Sequence, residues 1–484
     1  MKRDRLRRAT AAAAAVVGVL ALPAAAHSAP AQESIVEDEL HMLESGPEAR
    51  VRALDDARAL GADTIRANVL WGRLAPASGD RQMPAGFDGA NPAAYPPGTW
   101  DALTELVAGA EARGLSVILT VTGAGPAWAS RCRGSIAKLR TCRPRPRLFG
   151  DFVRAVGAQF PQVKRWSIWN EPNQPGWLSP QYARVRGVTM PVAAGLYRSL
   201  ARAAIAALQA TGHGADQILL GETAPVGRTT GPLARRPVAP EFFLRELFCI
   251  DGQGRRFRGR TARQRGCTPY PRFAVSGYAH HPYGRSAASA PGGPVSPGEI
   301  GILTSGRLKR VLDQAARAGR IPRRLPIFYT EHGYQTRPPE PVGVSLARQA
   351  AYINQSDWIA FRDSRIRSVA QYKLVDDPDL AGFQTGLRFL SGRAKPAYAA
   401  YRLPIWVTRR GSRLTIYGQV RPADGVAGPV AIQRQARRGR PFRTIRTVNV
   451  RSLRGHFTTR VPARPGVYRL NWQGMVSRRA AVGG

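Results

Sequence analysis

Two hydrophobic rhythms alternate along this chain between about residue 34 and residue 400. Short runs rich in β-branched and aromatic residues read as buried strands, and longer stretches with apolar positions three and four apart read as helices. The strand-like runs are 34–40, 64–71, 115–121, 163–168, 217–221, 272–278, 325–330 and 367–374. Helical patterns at 48–60, 100–112, 193–210, 308–318 and 345–361 separate them. Strands that alternate with helices build a parallel sheet, and eight of them is the number that closes a (β/α)8 barrel. After Pro396-Ala397-Tyr398 the helical rhythm stops. Short alternating runs at 405–407, 414–420, 430–435, 444–450, 455–461 and 466–472 follow, punctuated by Gly, Pro, Asp and Arg. The expected architecture is therefore α/β: a (β/α)8 barrel over 34–400, then a small all-β sandwich over 404–484. The Pro- and Gly-rich stretch 286–298 reads as a loop after the sixth strand.

Residues 1–28 read as a secretion signal. Lys2, Arg3, Arg5, Arg7 and Arg8 precede the apolar run 11–22, and Ala24-Ala25-Ala26 and Ala26-His27-Ser28 offer small-residue cleavage sites. The alternative is an uncleaved anchor, for which the run is short of the ~20 residues that span a bilayer. The expected location is outside the cell. There the four cysteines, Cys132, Cys142, Cys249 and Cys267, would form disulfides. Pairing of neighbours closes two short loops, although three connectivities are compatible with the sequence.

Composition adds one unusual number, a formal net charge of +40 over 484 residues. Nucleic-acid binding is the tempting inference. The basic residues are nearly all Arg and are spread along the chain, which reads instead as a solvated surface; no nucleic acid is expected. Clusters at 255–265 and 434–446 could still attract acidic cell-wall polymers, and the charge makes uronic-acid polymers worth including as substrates. No later segment is long and apolar enough for stable membrane insertion, and no cofactor or metal is expected: neither the cysteines nor the histidines have the spacing of a zinc site.

The chemistry is suggested by two glutamates. Trp169-Asn170-Glu171-Pro172-Asn173 follows the fourth strand-like run, and Glu331 ends the seventh in Tyr329-Thr330-Glu331-His332-Gly333. An ionisable side chain at the exit of a buried strand needs a partner or a task. In a barrel of this kind the C-terminal strand ends share one mouth, so both carboxylates face the same space. Two such groups are the minimum equipment for cleaving a glycosidic bond.

The motif Trp169-Asn170-Glu171-Pro172 closely resembles the fourth-strand signature of glycoside hydrolase clan A, the retaining (β/α)8 glycosidases. Within the clan it is nearest to the cellulase-like family 5 and the xylosidase-like family 39. The resemblance covers roughly residues 34–400. It implies that Glu171 is the general acid/base and Glu331 the nucleophile, with an oligo- or polysaccharide as substrate. The bottom-up chemistry agrees: the acid must hold a proton for the leaving oxygen, and the nucleophile must stay ionised beside cationic or hydrogen-bonding neighbours.

Arg66, on the second strand, matches the clan's arginine near the nucleophile; otherwise it is one surface arginine among many. Asn170 resembles the clan asparagine that bonds the sugar 2-OH, or else satisfies its own turn. His281 and Tyr283, in His280-His281-Pro282-Tyr283, resemble the His-x-Tyr pair of family 5. Trp128, in Gly125-Pro126-Ala127-Trp128, is a further expected sugar contact, because sugar C–H faces stack on aromatic rings. Trp71, Trp177, Tyr334 and Tyr372 are weaker aromatic positions, and Glu222 is either a hydroxyl ligand or half of an ion pair. The sequence departs from the clan at the eighth strand, where Gln371-Tyr372-Lys373 stands in place of the frequent Trp. The competing reading is a non-catalytic carbohydrate-binding or cell-surface adhesion protein on the same scaffold.

Overall fold

The computed structural model describes residues 29–286, 288–425 and 427–483; the expected signal segment lies outside them. Eight parallel strands close a barrel in sequential order: β1 Glu33–Glu37, β2 Thr64–Leu70, β3 Ser116–Thr122, β4 Arg165–Ile168, β5 Gln217–Thr223, β6 Gly277–His280, β7 Ile327–Tyr329 and β8 Ile366–Tyr372. The long connecting helices are α1 Pro47–Ala59, α2 Asp101–Glu111, α3 Pro146–Gln159, α4 Ala193–Ala210, α5 Pro240–Leu247, α6 Ser305–Arg317 and α7 Leu346–Phe361, and α8 Pro396–Arg402 follows β8. Proline at the first turn of α1, α3, α5 and α8 suits a position whose backbone N–H has no helical acceptor.

The period-2 pleat explains how the site is built. Ile35, Ile118, Leu219, Phe328, Ala279 and Ala370 form an apolar layer inside the barrel. Two residues further along three of these strands the side chains that reach the mouth are Glu37, Thr120 and Tyr372, and His281 follows the end of β6 in the same phase. Glu222 breaks the phase, three residues beyond Leu219. A bulge between Gly221 and Thr223 inserts it as an extra residue, at φ 56°, and turns its carboxylate inward.

The sixth run begins later than the sequence suggests. Phe273 and Ser276 bond to Arg320 and Ile218 in the approach to the sheet, and ladder pairing starts only at Gly277. A Cβ there would lie 2.5 Å from Leu219 and 2.7 Å from Phe328, so glycine lets β6 enter between its neighbours.

Beyond α8, only Leu403 and Pro404 separate the barrel's last helix from seven antiparallel strands: β9 Ile405–Arg410, β10 Arg413–Gln419, β11 Gly428–Gln435, β12 Arg443–Val450, β13 His456–Pro462, β14 Val467–Trp472 and β15 Met475–Val476. They form a three-stranded sheet, β9-β10-β13, and a four-stranded sheet, β12-β11-β14-β15, around their own core of Ile405, Val407, Ile416, Val430, Ile432, Tyr468 and Leu470. The outer face of the first sheet sets Trp406 and Tyr417 against Phe361 and Trp358 of α7. A buried Arg421–Asp357 pair at 3.2 Å joins the same surfaces. His456 meets the carbonyl of Gln32 at 3.1 Å, and Arg421 donates to Ser34 Oγ at 2.9 Å. Gln32 and Ser34 lie at the N-terminal end of β1, so the β unit packs on the foot of the barrel, opposite the mouth. The disulfides are Cys132–Cys142 and Cys249–Cys267. No described helix is long and apolar enough to cross a membrane.

Candidate active site

Arg66 is the hub. It rises from the middle of β2 and has no exposed surface. Its Nε and Nη2 donate to the two oxygens of Glu222, at 3.0 and 2.5 Å. Nη2 also donates to Asn170 Oδ1 at 2.8 Å and to Asn68 Oδ1 at 3.2 Å. Nη1 pairs with Glu37 and lies 3.6 Å from Glu331 Oε2. Thr120 adds a hydrogen bond to Glu222 at 3.1 Å. A planar, permanently charged fork is the side chain that can satisfy so many acceptors at once.

The backbone that carries Glu171 is shaped for the purpose. Trp169 and Glu171 have φ of 65° and 39°, a left-handed conformation that non-glycine residues adopt only where surrounding contacts hold them. Those contacts are Trp169 N–H to Val121 O, Asn170 N–H to Thr122 Oγ1 and Glu171 N–H to Glu222 O, each at 2.9 Å. The Trp169 indole fills the space over Gly123, where a Cβ would come within 2.5 Å of the ring.

Glu171 and Glu331 converge from β4 and β7. With His281 they offer one ligand atom each within 4.8 Å of the others. His281 Nδ1 stands between the two carboxylates, 3.0 Å from Glu171 Oε1 and 3.5 Å from Glu331 Oε2. Tyr283 donates to Glu331 Oε1 at 2.8 Å. The side chains of Glu171 and Glu331 remain 20% and 13% exposed, whereas Arg66, Glu222, Glu37 and His281 are sealed, so only the first two can meet a solute.

The electrostatics follow from burial and partners. Burial pushes the Glu331 carboxyl above its ordinary range; His281 and Arg66 pull it back, Glu171 adds to the rise, and the Tyr283 bond favours the charged form. Burial would raise Glu222 as well, but the charge and hydrogen bonds of Arg66, with His281 and Ser167, bring it below the usual carboxylate range. Burial favours a neutral His281, yet Glu331, Glu171 and Glu222 together lift it above an ordinary histidine. Two carboxylates and one imidazole could in principle also hold a divalent cation. The Glu171–His281 contact instead satisfies Nδ1 within the protein.

The structure brings Arg66, Asn170, Glu171, His281, Tyr283 and Glu331 into one constellation. Trp128 does not join it. Its ring is buried edge-on against Trp71 and Phe87, and its indole N–H donates to Pro76 O at 3.1 Å. Trp128 packs within the β3 loop. Trp71 is likewise buried, stacked on Phe152, and Tyr334 bonds Ser356 and His332.

Sequence reading missed Glu37 and Asn68. Asn68 Nδ2 bridges Glu37 Oε1 at 3.2 Å and Glu39 Oε1 at 2.5 Å. Burial drives the Glu37 carboxyl well up, the neighbouring Arg66 notwithstanding, and Glu37 Oε2 has no hydrogen-bond partner among the described residues. The signal was available: Glu37-Asp38-Glu39 places three acids at the end of a buried strand.

No protein-family model matches this sequence, and no curated protein matches it. Solved structures do. A family 39 glycoside hydrolase from the gut symbiont Bacteroides cellulosilyticus aligns over 92% of this chain and 82% of its own, with a TM-score of 0.51 at 14% identity. A glucosidase from Croceicoccus marinus covers 88% of this chain and 91% of its own, with a TM-score of 0.48 at 12% identity. A β-glucosidase from Exiguobacterium marinum covers 78% and 97%, again with a TM-score of 0.48, at 14% identity. At these identities the likeness is one of fold, argued from the first of the three: the chain has the barrel architecture found in clan A-type glycoside hydrolases.

Proposed function

We propose that this protein is a secreted retaining glycoside hydrolase that cleaves O-glycosidic bonds by double displacement. One observation carries the reading: two partly exposed carboxylates from different strands approach within 4.8 Å at the barrel mouth. Retaining enzymes hold their carboxyl groups ~5–5.5 Å apart, whereas inverting ones leave ~6.5–9.5 Å for a water molecule. Glu331 attacks the anomeric carbon while Glu171 gives its proton to the departing oxygen. A water molecule then enters, Glu171 takes its proton, and the glycosyl ester to Glu331 breaks. The cycle consumes one water and restores both side chains. Tyr283 and Arg66 supply the hydrogen bond and the positive charge that favour the ionised nucleophile, against the burial that opposes it. Asn170 accepts from Arg66 and has its amide NH2 left for the sugar. Secretion is supported by the leader-like sequence of residues 1–28 and by two disulfides.

The test is Glu331→Ala on a panel of aryl glycosides and polysaccharides. Turnover should disappear while sugar binding persists, and proton NMR of the first product released by the native protein should show the substrate's anomeric configuration. Undiminished hydrolysis by the variant would remove Glu331 from its role. Binding without hydrolysis by the native protein would favour the non-catalytic reading.

A further inference from the structure

Charge is distributed very unequally over this molecule. Residues 34–400 carry 49 basic and 29 acidic side chains, whereas residues 404–484 carry 17 arginines and a single acid, Asp424. That acid is already engaged, with Arg58 of the barrel at 2.8 Å. Arg421 and Arg454 are matched by barrel acids, the first by Asp357 and the second by Asp63 and Glu33. The other arginines of the β unit therefore have no acid of their own unit to neutralise them. A chain-wide preference for arginine would raise the basic count everywhere, but it does not remove the acids from one unit.

These arginines are also concentrated in space. Arg437, Arg438 and Arg440 are exposed on the loop between β11 and β12, and Arg443 and Arg446 are exposed on β12, an edge strand. Arg446 reaches across to the carbonyl of exposed Arg460 on β13, at 3.3 Å. Arg443 sits directly opposite Arg434 in the β11–β12 ladder. Like charges facing each other across strands destabilise a sheet, so the protein bears a cost here that its own side chains do not relieve. The loop is not loose: Arg469 stacks over Phe442 at 4.1 Å, and Gln435 donates to the Arg440 carbonyl at 2.6 Å. This sheet lies on the far side of the β unit from α7, so the barrel does not cover the row.

The barrel mouth has the opposite character. Glu37, Glu39, Glu171, Glu222 and Glu331 surround Arg66 and His281. Burial holds a proton on Glu37 and Arg66 neutralises Glu222, so the charge an anionic sugar ring would meet at that centre is the partly exposed carboxylate of Glu331, in a partly desolvated space.

We propose that the arginine row of residues 437–446, extended by Arg460, is a docking surface for an anionic polysaccharide that anchors the protein, and that the sugar processed at the mouth is a neutral one. The inference rests on the glycosidase reading for its choice of polysaccharide over other polyanions. The exposed row also lacks the aromatic platforms that stack nucleic-acid bases: Phe442, the aromatic ring within it, is covered by Arg469. Tethering raises the local concentration of neutral chains interwoven with the anionic polymer, without any new contact at the mouth.

The experiment compares the full chain with R437Q/R438Q/R440Q/R443Q/R446Q for binding to immobilised polygalacturonate, to neutral dextran and to duplex DNA, across a salt series. Hydrolysis of soluble neutral and uronic aryl glycosides is measured in parallel. The full chain should be retained on polygalacturonate and not on dextran. Its Kd should rise about tenfold or more in the five-fold variant, and binding by the full chain should weaken as salt is raised. The variant should keep its activity on a soluble neutral glycoside, which also reports that it is folded. Failure of the full chain to bind polygalacturonate, undiminished binding by the variant, or equal or tighter binding of DNA would overturn the anchor. Faster cleavage of uronic than of neutral glycosides would overturn the neutral-substrate half. Absence of all hydrolysis with binding intact would count against the catalytic reading and leave the anchor standing.

Discussion

The hydroxyl of Tyr283 gives the cleanest way to interrogate Glu331, because Tyr283→Phe removes one oxygen and leaves the ring against His332. That hydroxyl donates to Glu331 at 2.8 Å, and burial together with the Glu331 charge keeps it protonated well past an ordinary tyrosine. A hydrogen bond to a charged group is worth ~1.5–3 kcal/mol. Its loss is felt only by the ionised carboxylate, so the Glu331 carboxyl, already pushed up by burial, should rise further. The same energy corresponds to about 1–2 pH units, at ~1.4 kcal/mol per unit. The acid limb of the kcat/KM profile should move to higher pH by that amount. At a pH below both limbs the rate should fall roughly 10- to 150-fold. The assay is a pH series of kcat/KM on an aryl glycoside, for native and variant protein. Superimposable profiles would refute the reasoning: either the hydroxyl does not hold this carboxylate, or ionisation of Glu331 does not control the rate.

Further outcomes follow from the same geometry. Glu171→Ala should cripple cleavage of glycosides with poor leaving groups by ~10²-fold or more while sparing those with acidic phenols; an equal loss on both would deny it the proton-donor role. Trp128→Ala should cost ~3–5 kcal/mol in denaturant unfolding and leave KM nearly unchanged, as befits a buried ring; a large KM effect at native stability would restore it as a sugar contact. Glu37→Gln tests linkage. Burial raises the Glu37 carboxyl, so the folded protein holds a proton that the unfolded chain releases near pH 4.3. The stability this provides is fully present below that pH and is lost as pH rises through the folded value. The glutamine variant should decline less steeply over that window in urea titrations, by up to ~1.4 kcal/mol per pH unit; parallel slopes would contradict a raised Glu37.

Much of this was legible in the sequence, for identifiable reasons. The pleat makes a strand visible as a period, and seven of the eight barrel runs fall within a few residues of β1 to β5, β7 and β8. The sixth was anticipated too early because residues 272–276 have strand-like composition, whereas their backbone bonds are spent on the approach and Gly277 decides where pairing can begin. Glu171 and Glu331 stood out because an acid ending an apolar run is costly without a task. Arg66 could be placed by its strand, but its main partner could not: Glu222 turns inward through a bulge, which is a backbone event and leaves no period to read. An aromatic in a Gly-Pro loop, such as Trp128, looks the same in sequence whether it faces solvent or Phe87. Glu37 went unremarked because nothing in the run 34–40 shows that its carboxylate lies on the buried floor.

Arg66 touches residues contributed by β1, β2, β4, β5 and β7, so one guanidinium draws together five of the eight staves. Removing it would strand the Glu222 charge in the interior, at a penalty of ~3–5 kcal/mol. A descendant that abandoned chemistry would still be penalised for losing either Arg66 or Glu222 alone. Their presence in any related chain is thus a statement about barrel integrity, and whether such a chain still turns over must be judged from positions 171 and 331, which closure does not require.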